Sequence, residues 1–196
     1  MPVSMLVITR LLAGHGHEVV AGYTVASRVE TMVHMVLWSA SSSISPFVGQ
    51  NWGARNYARV RRAMRLANWF CLAWGVVTFV VLAIAGDAVV RLIDPNDTVR
   101  EVAAMFFLII PLSIGFMGVM QVATSCFNAL GQPLPPLTIS FARSIAFYVP
   151  LAILGDYLWG YVGIFLATAL SNVLLGILAW YWNRVVVKRE IAAAGS

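Results

Sequence analysis

From Leu66 to Gly86 the chain reads LANWFCLAWGVVTFVVLAIAG, without one charged side chain. A run of roughly 20 apolar residues is what a helix needs to cross a ~30 Å hydrocarbon layer. Five further apolar segments accompany it, at approximately 1–13, 19–48, 102–130, 134–154 and 158–183. All six are read as helices, because an open sheet leaves backbone groups unsatisfied in lipid. The balance of residues agrees: 60% are hydrophobic and 11% charged, where soluble domains carry about 25% charged residues. A soluble fold of 196 residues has too small a core to hide that much apolar surface. The expected fold class is therefore an all-α integral membrane protein.

The charges lie between the apolar segments. Arg55, Arg59, Arg61, Arg62 and Arg65 crowd the connector 49–65 with no acid among them, and Arg184, Lys188 and Arg189 close the chain. Positive connectors stay in the cytoplasm. Placing 49–65 there puts GHGHE (14–18), the mixed connector 87–101 and GDY (155–157) outside, and GQP (131–133) and the basic tail inside. Net charge +5 thus reads as a set of topology signals and membrane-lipid contacts, not as a nucleic-acid surface. Pro46 is expected to break the second segment and Pro111 to kink the fourth. The first segment, at thirteen residues, rises only ~20 Å as a helix. It is read as a truncated crossing, and it lacks the basic start of a signal peptide.

Polar residues inside a span face the bundle interior or water. On segment 19–48, Ser27, Glu30, Thr31, His34, Trp38, Ser41, Ser42 and Ser45 fall within an arc of roughly 120°. This stripe reads as a cavity wall or as interhelical hydrogen-bonding glue. Glu30 is the acid well inside a span and the candidate for cation coupling, with a structural ion pair as its other reading. Ser113, Met117, Met120, Gln121, Thr124 and Asn128 share a face of segment 102–130, a composition suited to an adaptable cavity or to helix packing. Arg143 lies near mid-bilayer, expected to pair with Glu30 or with free carbonyls beside Pro150, and Tyr148 belongs to a neighbouring stripe. Arg28 is read as structural. His15, His17 and Glu18 form a polar turn, and no metal set, nucleophile–base pair, phosphate loop or dinucleotide fingerprint is found. Neither an enzyme nor a cofactor is expected. Cys71 and Cys126 fall in apolar segments and form no disulfide framework.

Four stretches carry a family resemblance: VITRLLAGHGHEVVAGYTVASRVE (7–30), SPFVGQNWGARNYARVRRA (45–63), FNALGQPLPPL (127–137) and FYVPLA (147–152). In order and spacing the chain resembles the C-terminal lobe of multidrug and toxic compound extrusion (MATE) transporters, from late in helix seven to the end of helix twelve. The resemblance implies a six-helix lobe over 1–187, with its first helix truncated, and a cytoplasmic tail at 188–196. The N-terminal lobe of the twelve-helix fold has no counterpart in this sequence and would be its partner. It also implies export of amphipathic or cationic small molecules across the cell's inner or plasma membrane, driven by H+ or Na+ antiport. Glu30, His34, Trp38, Met117, Met120, Gln121, Thr124, Asn128 and Tyr148 are the candidate cavity lining. The lobe is expected not to transport alone. A flippase for lipid-linked saccharides would want more cationic residues than Arg28 and Arg143, and a non-transporting membrane assembly component is the remaining alternative.

Overall fold

The structure is a computed structural model that describes residues 2–93, 96–132, 134–141 and 147–193. The described residues are helical with short connectors, and no strand occurs among them. The elements are α1 (Pro2–Ala13), α2 (His17–Gly53), α3 (Tyr57–Ile93), α4 (Asp97–Ile109), α5 (Pro111–Ala129), α6 (Leu134–Phe141) and α7 (Val149–Ala193). α7 is two limbs joined where Trp159 and Gly160 leave helical geometry, with Gly160 at φ 58°. Among the described residues three helices are long and apolar enough to cross a membrane: Tyr57–Ile93, Pro111–Ala129 and Val149–Ala192.

Prolines shape these elements in different ways. Pro111 opens α5 at its first turn, where its missing N–H costs nothing, so the fourth apolar segment divides into α4 and α5. Upstream, Asn96 caps α4: its side-chain oxygen accepts from Thr98 N at 2.9 Å and Val99 N at 3.4 Å. Pro46 does not break the second segment, because α2 runs through it to Gly53. The proline deprives the Ser42 carbonyl of a donor, but both residues lie on an exposed face. No packed neighbour has to move for the ring, and membrane helices tolerate prolines placed this way.

The turn expected at Gly155–Tyr157 lies instead at Trp159–Gly160. Gly155 remains helical and meets Gly163 backbone to backbone, leaving no space for a Cβ on either. Gly160 supplies the positive φ, which only glycine adopts freely.

α5 is the central helix, packed by α2, α3 and α7. Twelve of its nineteen residues are buried. Between lipid-facing helices there is little hydrophobic drive, so close approach and dispersion hold the bundle together. At the α3–α5 crossing a Cβ on Gly75 would lie 2.7 Å from the Gly115 nitrogen. Around α4, aromatic rings interlock: Phe106 packs edge-on to Phe165 at 5.2 Å and to Tyr23 at 5.9 Å.

Polar contacts tie the connectors together at each end. His15 Nε2 lies 2.6 Å from Asp156 Oδ1, joining the α1–α2 turn to the first limb of α7. Arg100 bonds Asp87 at 2.9 Å, joining α4 to the end of α3. At the other end Gln132 Nε2 donates to Glu190 Oε1 at 2.8 Å, joining the α5–α6 turn to the distal α7.

Candidate functional site

α2 carries the polar stripe, and its members divide into two kinds. Some hydroxyls satisfy themselves on their own helix: Thr31 Oγ1 donates to Ser27 O and Ser42 Oγ to Trp38 O, each at 2.8 Å, whereas Ser41 Oγ is buried and makes no hydrogen bond among the described residues. Such back-bonding lets a hydroxyl sit in a membrane helix without a partner from elsewhere. Glu30 and His34 are different. Their side chains pair across one turn, Oε1 to Nε2, at 3.5 Å, with the imidazole buried and the carboxylate partly exposed. Trp38 stands edge-on to His34 at 6.3 Å and is itself exposed.

Two residues not singled out in the sequence complete this patch. Tyr23, two turns before Glu30 on the same face, lies within electrostatic reach of both Glu30 and Tyr148. Thr168 Oγ1 reaches the Tyr148 hydroxyl at 3.3 Å. Helical spacing from Glu30 could have found Tyr23, since seven residues return to the same face. Nothing in the sequence marks Thr168. Tyr23 thus links the α2 stripe to the Tyr148–Thr168 contact.

The α5 stripe is distributed differently. Met117 and Met120 are buried against Ile139 of α6 and Leu175 and Ala179 of α7, filling the interior of the bundle. Ser113 is locked between the Ile110 carbonyl, to which it donates at 2.8 Å, and Asn172 Nδ2, which donates to it at 3.1 Å. Gln121 and Thr124 are half-buried, and Asn128 is exposed near the C-terminal end. Gln121 Oε1 is buried and accepts no hydrogen bond among the described residues. Arg143, and with it the pairing expected with Glu30, lies outside the described residues. Arg28 is exposed.

The arginine run begins at a tight cap. Arg55 adopts φ 54°, and its N–H bonds Trp52 O at 2.9 Å as α2 ends. Arg59, Arg61, Arg62 and Arg65 follow, exposed, in the opening turns of α3. A helix N-terminus favours acids, so these arginines do not serve helix stability. Among the described residues no group of three or more His, Cys, Asp or Glu side chains could hold a metal ion.

A protein-family model described as MatE matches residues 1–154. The FAD transporter of Shewanella oneidensis is 31% identical over 180 residues, covering 92% of this chain and 40% of that protein. The probable multidrug resistance protein NorM of Thermotoga maritima is 25% identical over 197 residues, covering 95% of this chain and 42% of NorM. The crystal structure of the Vibrio cholerae MATE transporter VcmN in its bent form superposes with a TM-score of 0.91 at 28% identity, over 96% of this chain and 43% of that one. The chain spans about two fifths of the length of the curated relatives it matches. A lobe-sized all-helical structure, apolar spans and a family match over most of its length lead to one assignment: the chain belongs to the MATE family, whose members are multi-pass membrane transporters and not enzymes.

Proposed function

We propose that this chain forms the C-terminal lobe of a secondary active exporter that moves amphipathic, often cationic small molecules out of the cell in exchange for H+ or Na+. The observation that carries the reading is the Glu30–His34 pair, 3.5 Å apart on the polar face of a membrane helix. An acid and an imidazole one turn apart can take up and release a cation as access changes, and ionisable groups inside a span mark such pathways. Alternating access follows from one lobe rocking against another around a mid-membrane site. In this reading the 49–65 connector and the tail face the cytoplasm, as the positive-inside rule requires. The other lobe supplies the opposite cavity wall, and this lobe alone does not transport.

The test is a reconstituted native polypeptide carrying Glu30→Gln. Ion-driven efflux of a fluorescent cationic dye is expected to collapse while dye binding persists. Efflux that keeps its full ion dependence in the variant refutes the role of Glu30. A second substrate reading is favoured by the 31% identity to the FAD transporter: a flavin nucleotide as the exported compound. Export of FAD from loaded vesicles, with no competition from cationic dyes, would select it.

A further inference from the structure

α3 and the distal limb of α7 enclose a cavity of about 560 Å³ at the end of the bundle that carries the arginine run. Four cations converge on it: Arg61 and Arg65 from α3, Arg184 and Lys188 from α7. No acid lines it, and none of the four makes an ion pair among the described residues. Like charges held around a shared cavity repel, so this arrangement calls for a counter-charge from outside the chain.

The remaining lining specifies that counter-charge. Asn68 Oδ1 is buried and accepts no hydrogen bond among the described residues. Asn183 is also buried, and its Nδ2 makes no hydrogen bond among the described residues. An amide acceptor beside several cations suits a ligand that joins an anion to a hydroxyl. Trp69 and Trp180 stand exposed at the flanks, with Arg184 over the Trp180 ring at 5.4 Å. Tryptophans and cations together mark the headgroup level of a membrane. Beyond them, Phe70 and Ile177 continue an exposed apolar surface along the same two helices.

We infer that this cavity binds an anionic phospholipid of the cytoplasmic leaflet with a hydroxylated headgroup. The phosphodiester sits among Arg61, Arg65, Arg184 and Lys188, a headgroup hydroxyl donates to Asn68 Oδ1, and the acyl chains lie along α3 and α7. The site is separate from the Glu30–His34 patch, and its fate leaves the transport reading untouched.

The experiment is native mass spectrometry of the full polypeptide from membranes, titrated with phosphatidylglycerol, phosphatidylcholine or inorganic phosphate. Phosphatidylglycerol is expected to bind tighter than phosphatidylcholine. Arg65→Gln with Arg184→Gln is expected to lower its affinity about 30-fold, since each cation near the surface contributes about 1 kcal/mol. The Lys pair at the same positions should keep most of the affinity. Should the glutamine variant fail to fold, 1 M salt on the wild type gives the same reading, because it must abolish the preference. Equal binding of the two lipids, no loss in the glutamine variant, a preference that survives high salt, or displacement of the lipid by equimolar phosphate would each overturn the lipid site. The last outcome would leave a free-anion site instead.

Discussion

Gly75→Ala tests the bundle at its tightest crossing. The new Cβ would lie 2.7 Å from the Gly115 nitrogen and 2.8 Å from its Cα. Carbon contacts settle near 3.5–4.0 Å, so α3 and α5 must part by about 1 Å. The obstacle is backbone, which cannot swing aside as a side chain would. Overpacking of this kind costs roughly 1–3 kcal/mol. Alanine also gains helix propensity over glycine, by up to about 1 kcal/mol, and that gain must be removed from the comparison. Gly49→Ala in α2 removes it, because nothing lies within 4 Å of a Cβ there. The difference between the two variants then isolates the clash. At about 2–4 °C per kcal/mol for a chain of this size, Gly75→Ala should melt roughly 2–12 °C below Gly49→Ala in the same detergent. Melting by thiol-reactive dye or tryptophan emission reads this directly. Equal midpoints would mean that α3 and α5 do not cross at Gly75 and Gly115, and the central placement of α5 would fall with it.

Three further outcomes follow from particular contacts. Asp87, at the end of α3 beyond the apolar run, has its carboxyl held below its ordinary value of 3.8, chiefly by the hydrogen bond from Arg100. A carboxylate depressed in the folded state stabilises it above that value, and the stabilisation is lost as pH falls through the lower folded value. Arg100→Gln should therefore flatten this acid limb of the melting profile, by a small amount because Asp87 is exposed; an unchanged limb refutes the linkage. Trp74 Nε1 donates to the Val33 carbonyl at 3.3 Å, so Trp74→Phe should cost about 0.6 kcal/mol, the average for hydrogen bonds between membrane helices, read as a lowered unfolding midpoint. Cys71 and Cys126 are fully buried, so a maleimide should label neither in the folded protein and both after unfolding, as counted by mass.

Apolar spans in α3, α5 and α7 were legible, because the length and composition of a span are local properties of the chain. Pro111 was legible for the same reason: a proline at a helix start acts through its own backbone. Pro46 was not, because whether a proline stops a helix depends on what packs against its ring. The α7 turn was displaced because two glycines near it do different work. Gly155 serves a close approach to Gly163, which no local pattern distinguishes from a turn, whereas Gly160 bears the positive φ. Spacing alone put Glu30 and His34 on one face of α2, but their pairing was not read from it, and the partner expected for Glu30, Arg143, lies outside the described residues. Periodicity places a residue on a face but does not say what covers that face, so the burial of Met117 and Met120 against α6 and α7 was out of reach.

The contrast between α2 and α3 carries one more step. Both have 37 residues, about 55 Å of helix, and each leaves one face uncovered. Across the apolar run of α3 the exposed residues include Leu66, Trp69, Phe70, Val76, Val77, Val80, Val81 and Ile84. That is a surface for acyl chains, and in water it would be an aggregation patch. Across the corresponding part of α2 the exposed residues include Thr24, Arg28, Thr31, Ser39, Ser42 and Ser43 beside Met32, Met35 and Trp38. A face mixing an arginine with hydroxyls has little reason to meet lipid when the apolar run of the neighbouring helix, 66–86, exposes no charge. It belongs against water or another polar surface, as the wall of a cavity would. In a native polypeptide with Cys71 and Cys126 replaced by Ala, Ser39→Cys should therefore react with a membrane-impermeant maleimide, and bound dye should slow the reaction. Val80→Cys should stay unreactive, because a thiol in hydrocarbon does not form thiolate. Equal labelling at both sites, or at Val80 alone, would remove the distinction between the two faces and with it the proposal that α2 forms a cavity wall.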